Sequence, residues 1–151
     1  MVGLAAPQVG IPLQIILVDM YSSREKEEFS RSLEVFINPV ITWKSEVMVD
    51  GFEGCYSTGY LMGIVPRHRE ITIEAFTRDG EKIEMALTDF TARVFQHEVD
   101  HLNGFRFQDR MEDFSKLHLV KPEERESYRK EYKSWESTFS KADWEEFIKV
   151  K

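Results

Sequence analysis

The sequence predicts an α+β fold, and three observations carry the prediction. Strand-patterned segments fill the first half of the chain and helix-patterned segments the second. A hairpin is written out between Ile71 and Leu87, with its turn residues in place. Beyond it, apolar residues adopt helical spacing up to a glycine stop at Gly104. A length of 151 residues suits one domain able to bury a sizeable core.

Taken in order, Met1 to Gly10 reads as a loop, because it is small and turn-rich with Gly3, Pro7 and Gly10. Leu13 to Asp19 is enriched in Ile, Leu and Val and predicts a strand, and the polar stretch Tyr21 to Ser32 predicts an exposed connection. Leu33 to Ile41 resumes strand character, with Pro39 expected at a strand end or edge. Ser45 to Phe52 predicts a further strand leading into the loop around Cys55. Ile71, Ile73 and Ala75 alternate with Thr72 and Glu74, Asp79-Gly80 supplies turn chemistry, and Lys82 to Leu87 returns. Thr88 is the expected N-cap of a helix running to about Leu102, with Phe90, Val94, His97 and His101 on one face. Pro122 can open a second helix, Glu123 to Lys133 is densely charged, and Trp135, Phe139, Trp144 and Phe147 give the tail apolar anchors for packing. The expected assembly is antiparallel sheets packed around a central helix, with a C-terminal helix.

Composition narrows the function classes. Hydrophobic residues at 42% and charged residues at 31% are ordinary for a globular domain. A net charge of −7 argues against nucleic-acid binding, which needs a basic surface to neutralise phosphates. No apolar run approaches the ~18 residues of a membrane span, and no secretory or organelle leader is recognisable. One cysteine excludes an internal disulfide framework. A cytoplasmic location is therefore expected, where a lone cysteine serves either packing or chemistry.

The chemistry concentrates in Gln96-His97-Glu98-Val99-Asp100-His101, an H-E-x-x-H pattern within the predicted helix. Four residues at ~100° each bring the two imidazoles within ~40° of one another, so both reach one ion. Glu98, beside the first ligand, is placed to receive a proton from metal-bound water, whose pKa the ion brings to near 7. The bland alternative is a charged helix face on which two histidines coincide. It is disfavoured because burying Glu98 and two imidazoles in an apolar helix is costly unless they are paired or bind metal.

Phe52-Glu53-Gly54-Cys55-Tyr56-Ser57 sets the cysteine in a short polar loop bearing a glycine. A Cys55 thiolate would complete three protein ligands and leave a fourth tetrahedral position for water. Cys55 as a nucleophile with a histidine base is the competing chemistry, and the ligand role is preferred because H-E-x-x-H supplies its own base and water.

Together these residues resemble the three signatures of the peptide deformylase family. Gly3-Leu4-Ala5-Ala6-Pro7-Gln8-Val9-Gly10 is similar to the first, Glu53 to Ser57 to the second, and Gln96 to His101 with Leu102-Asn103-Gly104 to the third. Val65-Pro66-Arg67 and the hairpin resemble the family's intervening segment, so the likeness covers about residues 2 to 111. It implies a catalytic domain over 1–111, short at its N-terminus, while the pattern of 112–151 predicts a charged helical extension packed on the same domain. It implies hydrolysis of the formyl group from N-terminal formyl-methionine of nascent polypeptides, with Cys55, His97 and His101 as metal ligands and metal-bound water attacking the formyl carbon. Fe2+ is the implied ion, with Zn2+, Ni2+ or Co2+ compatible with the same donors. Glu98 becomes the general base, Gln8 and the backbone N–H of Tyr56 become oxyanion donors, and Val2, Gly3, Leu4, Gly54, Arg67 and Arg93 border the peptide. The implied partners are formylated nascent N-termini, with the ribosome a further candidate, and neither nucleic acid nor membrane.

Two departures stand out. The family usually carries several tens of residues and a helix before the first motif, where this sequence begins, so an internal start or a protein without that helix is expected. Tyr56 stands where the family commonly has leucine, which adds bulk and a hydroxyl near the pocket. Other readings are a deformylase-like protein with weak or altered deacylase activity, and a zinc metallopeptidase with its third ligand downstream, near Glu123 and Glu124. A non-catalytic interaction module using the aromatic tail is a further class. Apart from the family, Gln8 would cap its own turn and Arg67 would form a surface ion pair. Asp100 would either orient a ligand imidazole or lie exposed. His68 and His118 match no ligand spacing and read as structural or solvated.

Overall fold

Alternation between core and solvent builds most of the first half of the chain. The computed structural model describes residues 2–20, 32–136 and 139–149. Its strands are β1 (Gly3–Ala5), β2 (Ile15–Asp19), β3 (Leu33–Lys44), β4 (Met48–Gly54), β5 (Leu61–His68), β6 (Glu70–Phe76) and β7 (Lys82–Thr88). The helix α1 (Asp89–Leu102) follows, then β8 (Leu117–Leu119), α2 (Arg125–Glu131) and α3 (Lys141–Lys149). This is the α+β order the sequence predicts. The chain folds into two units, Met1–Val49 with Arg67–Arg106 and Asp50–Pro66 with Phe107–Lys151.

In the first unit, β1-β2-β3-β6-β7 form an antiparallel five-stranded sheet. Ile16, Val18, Phe36, Ile71, Ile73 and Leu87 turn one face inward to meet Ala92, Val94 and Phe95 of α1. Phe36 and Phe95 pack edge to face with centroids 5.2 Å apart. The β6–β7 hairpin forms in the expected register, Ile71 opposite Leu87 and Ile73 opposite Met85. Gly80 takes φ +83° at its turn, a left-handed conformation that glycine adopts without steric cost.

Two expectations are corrected, and one unassigned segment proves to be a strand. The N-terminal segment is not all loop: β1 pairs Gly3 with Val18 and Ala5 with Ile16, followed by a 3-10 turn over Ala6–Val9. Three residues carry no readable period, and this strand exists because β2 offers it an edge. Pro39 does not end β3, which continues to Lys44. The β3–β6 register shifts between Ile37 and Val40, and Asn38 takes φ +50°. Such a bulge lets a residue without an N–H sit inside a central strand. The segment from Leu61 to His68, unassigned from sequence, is the strand β5. The predicted connection at 21–31 lies outside the described residues.

In the second unit β8 pairs with β5, Leu61 opposite Leu119 and Gly63 opposite Leu117. Leu61, Val65, Phe107, Met111, Leu117 and Trp144 form its core, with Phe139 and Phe147 packed against it. Those tail aromatics are anchors, as expected. Among the described residues the tail holds two helices, where one C-terminal helix was expected. Pro122 opens a 3-10 turn that leads into α2, and α3 begins at a reciprocal cap between Ser140 and Asp143. His118 and Tyr128 are both buried, with the imidazole Nδ1 2.8 Å from the phenol oxygen. Phe52, Tyr132 and Trp135 pack their rings around Tyr128. Burial pushes the Tyr128 phenol above its ordinary range and the His118 imidazole below 6.5, a backbone hydrogen bond with Ser115 opposing the latter.

Phe95→Ala is expected to lower stability by ~3–5 kcal/mol, read from the urea midpoint, because it empties the centre of the first core. His118 resists protonation when folded but not when unfolded. Its contribution to stability is therefore unchanged above pH ~6.5 and lost progressively as pH falls below that value. Urea unfolding between pH 7.5 and 5 checks this: His118→Asn should flatten the slope that the wild type shows.

Candidate functional site

The ends of α1 are set by backbone geometry. Thr88 occupies the N-cap position without a side-chain cap bond. The helix instead starts at Asp89, φ +50°, whose N–H donates to the Arg69 carbonyl at 2.8 Å. At the other end Gly104 takes φ +78°, and its N–H donates to His101, as expected of a glycine stop.

Polar side chains fix how α1 is rolled about its axis. The Gln96 amide meets the main chain of His68 at both ends, accepting from its N–H at 3.2 Å and donating to its carbonyl at 2.9 Å. Its nitrogen also donates to the Ala92 carbonyl at 3.0 Å. One turn on, Asp100 pairs with Arg67 at 2.5 Å, both side chains less than a tenth exposed. Arg93 donates to the Val49 carbonyl. Each histidine directly follows a clamped residue, His97 after Gln96 and His101 after Asp100, so the clamp aims each imidazole ~100° further round the helix.

The two Nε2 atoms of that pair approach to 3.1 Å, with rings at 82° to one another. At that separation both nitrogens cannot carry hydrogens, and two bare lone pairs would repel. Either a proton shared in an N–H···N hydrogen bond or a cation lies between them. Glu98 is buried on the same helix, against the main chain at Gly3. Gln8 accepts the Ala5 N–H through Oε1 at 2.8 Å, so it caps its own turn and its Nε2 is the donor end. Val2 accepts from the Asp19 N–H at 2.8 Å, and β1 is the last strand in its sheet's order.

Cys55 belongs to the second unit. It precedes a 3-10 turn over Tyr56–Thr58, and its carbonyl accepts from both the N–H and the hydroxyl of Thr58 at 3.1 and 3.0 Å. Its side chain is partly buried against that unit's core. Tyr56 is 78% exposed, and Gly54 lies close to Met62. The first unit thus gathers Val2, Gly3, Leu4, Gln8, Arg67, Arg93, His97, Glu98 and His101, and the second holds Gly54, Cys55 and Tyr56. One thiolate and two imidazoles, Cys55, His97 and His101, make a donor set that could hold a divalent ion.

Sequence reasoning did not anticipate the Gln96 clamp. Asp100, read as either orienting a ligand imidazole or lying exposed, is buried in an ion pair with Arg67, which is itself buried rather than at the surface. The only signal was their spacing: Arg93, Gln96 and Asp100 recur at three and four residues, a polar stripe beside the histidines on a largely buried helix. His68 and His118 are structural, bonded to the Ser45 carbonyl and to Tyr128.

Residues 1–117 match the family model described as polypeptide deformylase. A peptide deformylase of Halalkalibacterium halodurans is 47% identical over 114 residues, which cover 74% of this chain and 60% of the relative. Peptide deformylase 2 of a Nostoc species is 41% identical over 127 residues, covering 82% and 68%. The chain thus spans roughly two thirds or less of the curated relatives' length. Among solved structures, a class I type b peptide deformylase from Acinetobacter baumannii bound to Met-Ala-Ser has TM-score 0.65 and 38% identity, covering 73% of this chain and 70% of that one. A probable peptide deformylase from Synechococcus phage S-SSM7 has TM-score 0.67 and 42% identity, covering 73% and 72%.

Asp100→Ala removes the carboxylate from a buried guanidinium and should cost ~3–5 kcal/mol of stability, whereas replacing Arg67 and Asp100 together by Met and Leu should recover most of it. Denaturation of the two variants distinguishes a buried pair from an exposed one, for which the single change would cost ~0–1 kcal/mol.

Proposed function

Because this chain belongs to the polypeptide deformylase family, we propose that it hydrolyses the formamide at the N-terminus of formyl-methionyl polypeptides, releasing formate and a free amine. The observation that carries the proposal is the pair of facing imidazoles with buried Glu98 between them in sequence. In this reading Cys55, His97 and His101 hold one divalent ion, Fe2+ in the cell, with Zn2+, Ni2+ and Co2+ acceptable to the same donors. The ion supplies polarisation that brings the pKa of water to near neutrality.

The remaining work falls to the chain's own groups. Glu98 takes the proton from the attacking water and returns it to the departing amine. Gln8, its amide held by the Ala5 N–H, turns its donor end to the oxygen that gains charge, and the Tyr56 N–H is the second donor. Val2, Gly3 and Leu4 offer the edge of β1 to an extended peptide, and Gly54 is assigned a further peptide contact. The A. baumannii relative's complex with Met-Ala-Ser supports a peptide beginning with methionine. Arg67 and Arg93 are engaged by Asp100 and the Val49 carbonyl, which favours shaping the peptide site over gripping the peptide. The catalytic assignment rests on residues 1–111, with 112–151 as a packed extension. Newly made chains as substrate suit a cytoplasmic enzyme working near the ribosome, and no helix among the described residues is long and apolar enough to cross a membrane.

The metallopeptidase alternative finds less support. It needs a carboxylate ligand near Glu123 and Glu124, and the Glu124 carboxylate instead caps a 3-10 turn by accepting the Lys121 N–H.

Anaerobically prepared, Fe2+-loaded protein should release formate from formyl-Met-Ala-Ser. Glu98→Ala should lower kcat by ~10²–10⁴-fold while ion content is unchanged, since Glu98 moves protons and is not a ligand. No formate from the loaded wild type would overturn the proposal.

A further inference from the structure

Gly3 has no room for a side chain. A β-carbon there would lie 2.3 Å from Oε1 of Glu98 and 2.8 Å from its Cδ and Cγ. Non-bonded carbon and oxygen atoms do not approach so closely, since the favourable separation is ~3.5–4.0 Å. The other glycines at backbone-special positions differ in kind. Gly10, Gly59, Gly80 and Gly104 all have positive φ and open space where a β-carbon would go. Gly3 has no such φ, so its requirement is space alone.

Neither backbone can easily retreat. β1 is paired to β2 through Gly3 opposite Val18, and the neighbouring Ala5 is fully buried in the core. Glu98 rides on α1, whose roll is held by Gln96 on His68 and by Asp100 on Arg67. The one yielding element is the Glu98 side chain, which could swing its carboxylate aside at small cost to folding.

We infer that the bare main chain at Gly3 is the seat of the Glu98 carboxylate, making Gly3 a positioning residue for proton transfer in addition to any contact with peptide. The inference rests on the reading of Glu98 as general base. A side chain at position 3 leaves the strand and the ion's ligands in place and moves the base.

Gly3→Ala tests it in the full metal-loaded chain. The expected result is a fall in kcat of ~10²-fold, the scale of a misplacement of about 1 Å, with KM for formyl-Met-Ala-Ser within ~2-fold and ion content unchanged. In a Glu98→Ala background the same substitution should have no further effect on residual kcat, a non-additivity that a merely structural role would not produce. Wild-type kcat in Gly3→Ala, a rise in KM alone, or an equal loss in both backgrounds would overturn the inference. If Gly3→Ala destabilises the fold, the Gly3→Ala/Glu98→Ala double variant should regain the melting temperature of Glu98→Ala alone. Failure to regain it places the clash elsewhere and also overturns the inference. That thermal comparison does not depend on activity, so an inactive wild type would refute the functional reading and leave this contact separately decided.

Discussion

Two imidazole nitrogens held 3.1 Å apart on α1 require a shared proton or a cation between them. Their lone pairs repel unless something positive lies between them, and the low dielectric of the surroundings amplifies the effect. The first unit is organised to keep that arrangement. Its sheet packs apolar residues against one side of α1, where Phe95 meets Phe36. Apolar packing resists separation but does little to resist rotation. The roll is set by directional bonds from Arg93, Gln96 and Asp100, each to a partner on or beside a strand.

Those bonds carry high stakes for stability. An amide matched at both ends to a strand's main chain leaves no group unsatisfied, whereas losing either end would bury an orphan donor or acceptor at a cost of ~1–3 kcal/mol. The Arg67–Asp100 pair follows the same asymmetry, stable when complete and expensive when halved. In the proposed function that rigidity matters, because the base and two ligands assigned to α1 keep their place relative to β1 only while the helix stays at one roll angle. Gly3 extends the logic to the neighbouring strand, where the absence of an atom does the positioning.

Some of this was legible in the sequence. The β6–β7 hairpin and α1 have periods, turn residues and a stop at Gly104 that agree with one another, and local agreement of that kind is what makes a segment readable. The tail's anchors were legible because Trp144 and its aromatic neighbours have no reason to sit in a charged segment except to pack. β1 was not, since three residues acquire strand geometry only from the edge of β2. Pro39 misled because a bulge at Asn38 removes the constraint that normally ends a strand. The partners of Gln96 and Asp100 were not legible, since only the fold brings His68 and Arg67 to meet them. Within the site, His97, Glu98 and His101 followed from spacing. The residues alone favoured Cys55 as a ligand over a nucleophile, whereas Gln8 acquired its role from family resemblance and read otherwise as a turn cap.

The central claim is that two imidazoles of α1 and the thiolate of Cys55 hold one ion. X-ray absorption of the Zn2+-loaded protein reads that ligand set most directly. The account predicts one sulfur scatterer at ~2.3 Å with nitrogen or oxygen scatterers at ~2.0–2.1 Å, and loss of the sulfur shell in Cys55→Ser. A first shell of nitrogen and oxygen alone in the wild type would contradict it.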